Sequence, residues 1–281
     1  MSRTRILLLT VFAMTAFAGN SLLCRSALKD TGIDAATFTS VRLVSGALVL
    51  WLIVRMRGGV HVASGSWLSA FALFAYAAGF SFAYISLPAG TGALLLFGAV
   101  QATMIGYGLW AGERLQKRQA AGLMFALGGL VGLVLPGLSA PPLVGSGLML
   151  GAGVAWGVYS LRGKYSGEPT RTTADNFLRA VPFSIALSVA MAPWASLDKL
   201  GLVYAMSSGA LASGVGYAIW YTALKGLRAT DAATVQLSVP VIAAIGGIFF
   251  LGEHLTPRLL IASAAILGGI ALVIFNRPQA K

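Results

Sequence analysis

The sequence predicts an all-α integral membrane protein of ten transmembrane helices, arranged as two inverted five-helix repeats with both termini cytoplasmic. Three observations predict it: the composition, the spacing of apolar runs, and an internal duplication. Of the 281 residues, 57% are hydrophobic and only 10% are charged, and the mean hydropathy is +0.82. Soluble domains carry about 25% charged residues, so most of this chain is expected to lie within the membrane.

Ten apolar runs follow one another with short breaks, each near the roughly twenty residues that a helix needs to cross the hydrocarbon. Prolines and glycine pairs occupy the breaks, where helices commonly end. The first run resembles a cleavable signal peptide, but it continues to Leu28 and the duplication needs it, so we expect it to be retained. In chain order the predicted spans are Ile6 to Leu28, Asp34 to Met56, Trp67 to Leu87, Gly90 to Ala111, Gln116 to Pro136, Val144 to Lys164, Thr173 to Trp194, Leu200 to Leu224, Thr230 to Leu251 and Pro257 to Phe275.

Basic residues set the predicted orientation. Four of the 20 Lys and Arg residues fall in predicted outer loops, at Arg25, Lys29, Lys199 and Arg258, and fourteen fall in cytoplasmic segments. This bias follows the positive-inside rule and accounts for the net charge of +12 without a nucleic-acid partner. The other two, Arg42 and Arg179, lie about two turns inside spans two and seven, from which a long side chain reaches the interface.

The two halves of the chain end in similar sequences. Leu87 to Leu135 aligns without a gap to Leu227 to Phe275, with roughly a dozen identities in about fifty positions. We therefore divide the chain into residues 1–139 and 140–281, each with five spans. Because five is odd, the second repeat enters the membrane from the opposite side. Inverted repeats place a substrate site near the midplane, which predicts a transporter that works by alternating access.

Within the duplication, Gly112-Glu113 matches Gly252-Glu253, and Leu127-Gly128-Gly129 matches Leu267-Gly268-Gly269. With the stretches FAGNSLLCR, FTSVRLVSGALVL and LPAGTGALLLFGAV, the chain resembles the EamA-type drug/metabolite transporter superfamily. Its aromatic runs are similar to those of the YddG-type aromatic amino acid exporters. The resemblance implies a multi-pass protein of the bacterial inner membrane that exports amino acids or similar metabolites. The first span has Phe17 where the family commonly has a Trp.

Aromatic residues at helical spacing are candidates for the wall of a substrate pocket. All of them have a large apolar ring, and Tyr and Trp also have a polar group at the tip. The alternative is that they anchor span ends at the interface or fill space. The candidates are Tyr76, Phe80 and Tyr84 in span three, Trp156 and Tyr159 in span six, and Tyr217 and Trp220 in span eight.

Uncharged polar residues near mid-membrane are candidates for binding the polar end of a substrate. They are Asn20, Gln101 and Gln236, and the alternative role of each is to hold two helices together. Pro240 lies four residues after Gln236 and cannot donate to its carbonyl, which predicts a hinge beside the site. Glu113 and Glu253 are expected to stabilise the start of the helix that follows each of them.

The sequence offers no set of catalytic or metal-binding residues at membrane depth. Cys24 is the only cysteine, and both histidines, His61 and His254, fall in loops, so no metal or cofactor is expected and the chain is not expected to be an enzyme. The predicted function is export of aromatic and other neutral amino acids, or similar small amphipathic metabolites, with a drug or cationic-compound exporter as the alternative. The expected partners are a small-molecule substrate and membrane lipid, and the expected state is a monomer.

Overall fold

The computed structural model describes residues 2–58, 64–112, 114–137, 139–163, 168–227 and 229–275, and within these ranges the chain is helical with short connections. Glu113 and His61 lie outside the described residues. The helices are α1 (Arg3–Asp30), α2 (Ala35–Met56), α3 (Trp67–Tyr84), α4 (Ala89–Trp110), α5 (Lys117–Val134), α6 (Leu143–Gly163), α7 (Pro169–Ala190), α8 (Lys199–Ser207), α9 (Gly216–Leu224), α10 (Ala229–Gln236), α11 (Ser238–Leu251) and α12 (Pro257–Phe275).

Eight helical segments among the described residues are long and apolar enough to cross a membrane. One of them is the continuous segment Lys199–Leu224, called the eighth span below, in which a π-helical stretch, Ser208–Val215, joins α8 to α9. Eight of the ten predicted crossing helices therefore meet this criterion in the described part of the chain. The two helices that fall short are α5 and α7, which have basic residues at their starts and, in α7, further charges along the helix.

Most predicted span ends agree with the helices within about three residues, and both ends of the seventh span do not. Prolines stand at the starts of three helices, where the sequence pattern predicts mainly breaks. Pro88 is the N-cap of α4, Pro169 is the first residue of α7, and Pro257 is the first residue of α12. A proline lacks the N–H that has no partner in a first helical turn, and its φ is already helical. Helix α7 consequently begins four residues before the predicted Thr173 and ends at Ala190, with Trp194 in a separate 3₁₀ turn.

The helices contact one another in pairs that exchange under the predicted duplication. Helix α2 packs on its counterpart α7, α4 on α11, and α5 on α12. The contact between α3 and α6 corresponds to the contact between the eighth span and α1 when the repeats are exchanged. In the same way, the contact between α4 and α6 corresponds to the contact between α11 and α1. An inverted duplication predicts exchanged contacts of this kind.

Glycines let α5 and α12 touch through their backbones. A Cβ atom on Gly122 would lie 2.6 Å from the carbonyl oxygen of Gly269, and a Cβ on Gly269 would meet the backbone of Gly122 and Ala126. Small residues at such positions are what membrane helices use to approach closely. The neighbouring Gly268 has open space beside it, so only one glycine of this pair is needed for packing.

Candidate functional site

A cavity of about 380 Å³ lies inside the bundle, between α1, α3, α4, α6, α7, the eighth span and α10. It runs from Asn20 and Phe80, in the interior of α1 and α3, to Gly163 and Pro169 at the facing ends of α6 and α7. The volume is within the range of roughly 300–1,000 Å³ that small-molecule sites occupy. The lining is mainly aromatic and aliphatic, with a few hydroxyl and amide groups.

Aromatic rings from four spans form one wall of this cavity. Trp156 is central: its ring lies 4.7 Å from that of Tyr76, 5.3 Å from Tyr159 and 5.3 Å from Tyr217, measured between centroids. The planes of Trp156 and Tyr217 are 19° apart, so these two rings stack. Phe17 extends the wall, 5.6 Å from Tyr217. Such a wall suits a flat or aliphatic side chain.

Polar groups run in a chain across the deep end of the cavity. The Ser208 hydroxyl donates to the Asn20 side-chain oxygen at 2.5 Å, and the Asn20 amide donates to the Tyr76 hydroxyl at 3.4 Å. The Arg42 guanidinium donates to the same hydroxyl at 2.9 Å. The expectation that Arg42 reaches the interface is wrong: its side chain is held inside the bundle between α2 and α3 and only 1% of the residue is exposed.

The π-helical stretch positions one end of this chain. At Gly209 the stretch lies against α2 so closely that a Cβ atom would collide with the Arg42 carbonyl oxygen and the Ser45 hydroxyl. This contact places Ser208 beside Asn20. The wider π turn also leaves the Ser213 hydroxyl at the cavity, buried and without a hydrogen-bond partner among the residues that the structure describes. Stretches of π-helix are rare and occur frequently at functional sites.

A second polar cluster lies at the other end of the cavity, near the start of α7. The Thr173 hydroxyl is 3.3 Å from the Tyr159 hydroxyl and 3.3 Å from the Tyr221 hydroxyl. Asn176, one turn further along α7, accepts from the backbone N–H of Ser66 at 3.0 Å. The cluster joins α6, α7 and α9 and gives this end of the cavity a polar lining.

Beyond the deep end, the bundle is closed by a charged cluster. The Arg25 guanidinium lies 3.4 Å from the Glu253 carboxylate and donates to the carbonyl oxygens of Tyr84 and Ile85, each at 2.9 Å. The Glu253 carboxylate in turn accepts from the backbone N–H of Ala89 at 2.8 and 3.0 Å. These contacts tie together the ends of α1, α3 and α11 and the start of α4.

Glu253 therefore stabilises a helix start, but of a different helix from the one expected. The prediction assigned it to α12, the helix that follows it, whereas its partner is the first residue of α4 in the other half of the chain. Pro88, the N-cap of α4, makes no side-chain capping hydrogen bond, so the unpaired N–H groups there are open to a carboxylate. Gly252, in the left-handed conformation at φ 62°, turns the chain so that Glu253 reaches α4.

Eight of the ten predicted site residues line the cavity and two do not. Tyr84, in the last turn of α3, lies beyond the deep end, fully buried, with its hydroxyl donating to the Ala89 carbonyl oxygen at 3.2 Å. Gln101 is buried in α4 and does not line the cavity, although Val100, the residue before it, does. The eight that line the cavity are Asn20, Tyr76, Phe80, Trp156, Tyr159, Tyr217, Trp220 and Gln236.

Pro240 lies in the first turn of α11, after a break in the ninth span. Helix α10 ends at Gln236, the backbone changes at Leu237, and α11 begins at Ser238. Gln236 thus lines the cavity directly before the break, with its amide donating to the Ala232 carbonyl oxygen at 3.3 Å. Movement at this break remains a prediction.

Sequence reasoning missed Phe17, Thr173, Asn176 and Ser213 as lining residues. Thr173 and Asn176 are three apart near the start of α7, a spacing that puts them on one helical face and that the predicted seventh span already contained. Ser213 had no such signal, because its position at the cavity depends on the π-helical stretch.

Comparison with known proteins gives one family and several relatives. Residues 143–275 match the EamA-like transporter family. An uncharacterized protein of Pseudomonas aeruginosa is 58% identical over 97% of this chain and 96% of its own length. The threonine/homoserine exporter RhtA of Escherichia coli is 36% identical over 44% of this chain and 43% of its own length, and a probable amino-acid metabolite efflux pump of the same species is 24% identical over 68% and 69%.

One solved structure, described only as the crystal structure of a protein, superposes with a TM-score of 0.70 at 19% identity, covering 99% of this chain and 100% of that one. At that identity the match speaks for the fold alone. The family match and the apolar helices agree with each other. The chain is a multi-pass membrane protein and belongs to the EamA-like transporter family.

Proposed function

We propose that this protein exports aromatic and other neutral amino acids from the cytoplasm across the bacterial inner membrane by alternating access. The observation that carries the proposal is the cavity, in which the stacked Trp156 and Tyr217 face a polar chain that includes Asn20. One region suits an apolar side chain and the other suits the charged groups that every amino acid carries. Relatives named as a threonine/homoserine exporter and an amino-acid metabolite efflux pump support the substrate class.

Alternating access needs a site that opens at one side while the other is closed. The cavity extends to the ends of α6 and α7, where Arg162 and Arg171 lie. We expect that side to face the cytoplasm, because the bias of basic residues favours this orientation. At the opposite side the Arg25–Glu253 cluster closes the bundle. In our proposal the structure is thus the inward-open state, ready to load a substrate from the cytoplasm.

The proposal includes ten crossing helices in two inverted repeats, residues 1–139 and 140–281. The exchanged helix contacts support it, since α2 packs on α7, α4 on α11 and α5 on α12. It places both termini in the cytoplasm, which a reporter protein fused after Lys281 tests: fluorescence that requires a cytoplasmic location is expected, and activity of a reporter that requires export would contradict it. One chain holds the whole cavity, so we propose a monomer in contact with lipid.

Transport is tested with purified protein in liposomes. We expect saturable uptake of labelled tryptophan, phenylalanine and threonine. We expect much less uptake of glutamate, because it carries a second carboxylate and the described residues that line the cavity include no lysine or arginine. Running the assay with and without a proton gradient tells coupled from facilitated transport. Liposomes without protein are the control, and absence of uptake for all three neutral amino acids would contradict the proposed substrate class.

The second candidate is a broad exporter of drugs or cationic compounds. The aromatic wall favours it, because Trp and Tyr rings bind cations through their faces. The buried Arg42 cation at the deep end opposes it. Competition between a cationic dye and labelled tryptophan separates the two: a dye that is itself transported and displaces tryptophan favours the second candidate.

A further inference from the structure

Arg42 is a buried cation without a counter-ion among the described residues. Its Nη2 atom donates to the Tyr76 hydroxyl at 2.9 Å, while Nε and Nη1 are buried and have no hydrogen-bond partner in the described part of the chain. The two ion pairs found in the described part of the chain involve other arginines, Arg25 and Arg179. A guanidinium remains protonated inside proteins, so a full positive charge is held here.

Such a group is costly unless it has a function. Removing a cation from water costs several kcal/mol in real proteins, and an attractive partner must offset that cost. The faces of Tyr76 and Phe80 offset part of it, because the guanidinium carbon lies 5.1 and 4.8 Å from their ring centroids. They leave the two nitrogens unsatisfied. A charged side chain at membrane depth marks a substrate or ion pathway by default.

Arg42 does not itself line the substrate cavity but lies directly behind two rings that do. Tyr76 and Phe80 line the deep end of the cavity, with Asn20 beside them. The Tyr76 hydroxyl accepts from both Arg42 and Asn20, so an anionic oxygen that takes the place of this hydroxyl gains a full charge as its partner. A carboxylate is the acceptor that a guanidinium binds best.

We infer that Arg42 binds the carboxylate of the transported molecule. The substrate then carries one carboxylate and an apolar or aromatic body, and an amine that lacks a carboxylate is not a substrate. This inference rests on the proposed transport function and specifies its substrate class. The carboxylate lies at the deep, closed end, and the apolar body lies along the wall formed by Trp156 and Tyr217. Tyr76 occupies the anion position when the site is empty.

The test compares ligands that differ in one group. Tryptophan, tryptamine and indole-3-propionate share the indole ring, but tryptamine lacks the carboxylate and indole-3-propionate lacks the amine. Binding to purified protein is measured by thermal stabilisation, which does not depend on transport. We expect tryptophan and indole-3-propionate to stabilise the wild type at concentrations at least about tenfold lower than tryptamine, as loss of a charge-assisted hydrogen bond produces.

Variants of the arginine then identify the residue responsible. Arg42→Gln is expected to lose the preference for carboxylates by about tenfold while leaving the weak tryptamine affinity unchanged, and Arg42→Lys is expected to retain part of the preference. Arg55→Gln, on the same helix and exposed, is the matched control. A merely structural role would weaken all three ligands equally.

Two results would overturn the inference: tryptamine binding the wild type as well as tryptophan does, or no carboxylate binding at all. The first result is measured on the wild-type protein, so it tests the inference even if the Arg42 variants fail to fold. Failure of the transport proposal is seen separately. In that case carboxylates bind and depend on Arg42, yet no amino acid is taken up into liposomes.

Discussion

The Arg25 guanidinium, at the end of α1, lies 3.4 Å from the Glu253 carboxylate, in the turn after α11. Both side chains are nearly buried, 13% and 12% exposed, so water screens the pair little. The two residues come from opposite halves of the chain, and Glu253 also binds the start of α4 in the first half. The pair therefore holds the halves together at the side away from the cavity opening.

Breaking this pair is expected to open the closed side. Cys24, the sole cysteine, is fully buried next to Arg25 and serves as a native reporter. In Arg25→Ala we expect a membrane-impermeant thiol reagent, added from the outer side, to label Cys24 at least several-fold faster than in the wild type. Lys199→Ala, an exposed residue predicted on the same side, is the control. Equal labelling in Arg25→Ala and the wild type would show that the pair does not hold the closed side.

Removing the central ring of the aromatic wall is expected to weaken substrate binding. Trp156→Ala loses contacts with Tyr76, Tyr159 and Tyr217, and aromatic contacts contribute about 0.5–1.5 kcal/mol each beyond their buried area. We expect KM for tryptophan to rise on the order of tenfold in liposome uptake. Trp110→Ala, at a residue that is 83% exposed, should leave KM unchanged. A similar KM in both variants would argue against the wall as the binding surface.

The break before α11 is expected to set the rate of the conformational change. Pro240→Ala restores an N–H that donates to the Gln236 carbonyl oxygen, so α10 and α11 become one straight helix. We expect the maximal transport rate to fall several-fold with KM little changed. Pro182→Ala, at an exposed proline inside α7, is the matched control. A rate unaffected by Pro240→Ala would mean that the proline serves packing alone.

Adjacent glycines in α12 are expected to differ sharply. Gly269→Ala forces a methyl group against the backbone of α5, whereas Gly268→Ala places it in open space. Over-packing costs about 1–3 kcal/mol, so the first variant should unfold at a lower temperature in detergent. The second should be neutral or slightly more stable, because alanine favours helix more than glycine. Equal destabilisation by both would contradict the close packing of α5 and α12.

Asp34 is expected to make stability depend on pH. Burial raises the pKa of its carboxyl, but hydrogen bonds from Thr37, Ser196 and Ala36 outweigh it and hold that pKa below the usual value. The carboxylate thus stabilises the folded protein fully above the usual pKa of about 3.9, and this stabilisation is lost as the pH falls through the lower, folded value. We expect the stability advantage over Asp34→Asn, measured by thermal unfolding, to be constant from pH 5 to 8 and to shrink in acid below about pH 4. An advantage that grows in acid would contradict this sign.

The composition and the spacing of apolar runs were enough to predict a helical membrane protein, because continuous apolar runs of about twenty residues satisfy their backbone groups in lipid by forming helices. The positions of most helices followed within a few residues. The start of α7 did not, since Pro169 reads equally as a break or as a first helical residue, and only the packed helix decides. Aromatic residues at four-residue spacing predicted one face of α3 in the same way.

The sequence by itself determined which residues are apolar, which helices they form and which segments repeat. Only the tertiary structure decided which faces meet. It brought Arg42 inward to Tyr76, because α3 supplies rings that cover the guanidinium. It joined Glu253 to Ala89 across 164 residues of chain, and it left Tyr84 and Gln101 outside the cavity. Local pattern fixes a helix and its faces, whereas contacts between distant segments depend on how all the helices pack at once.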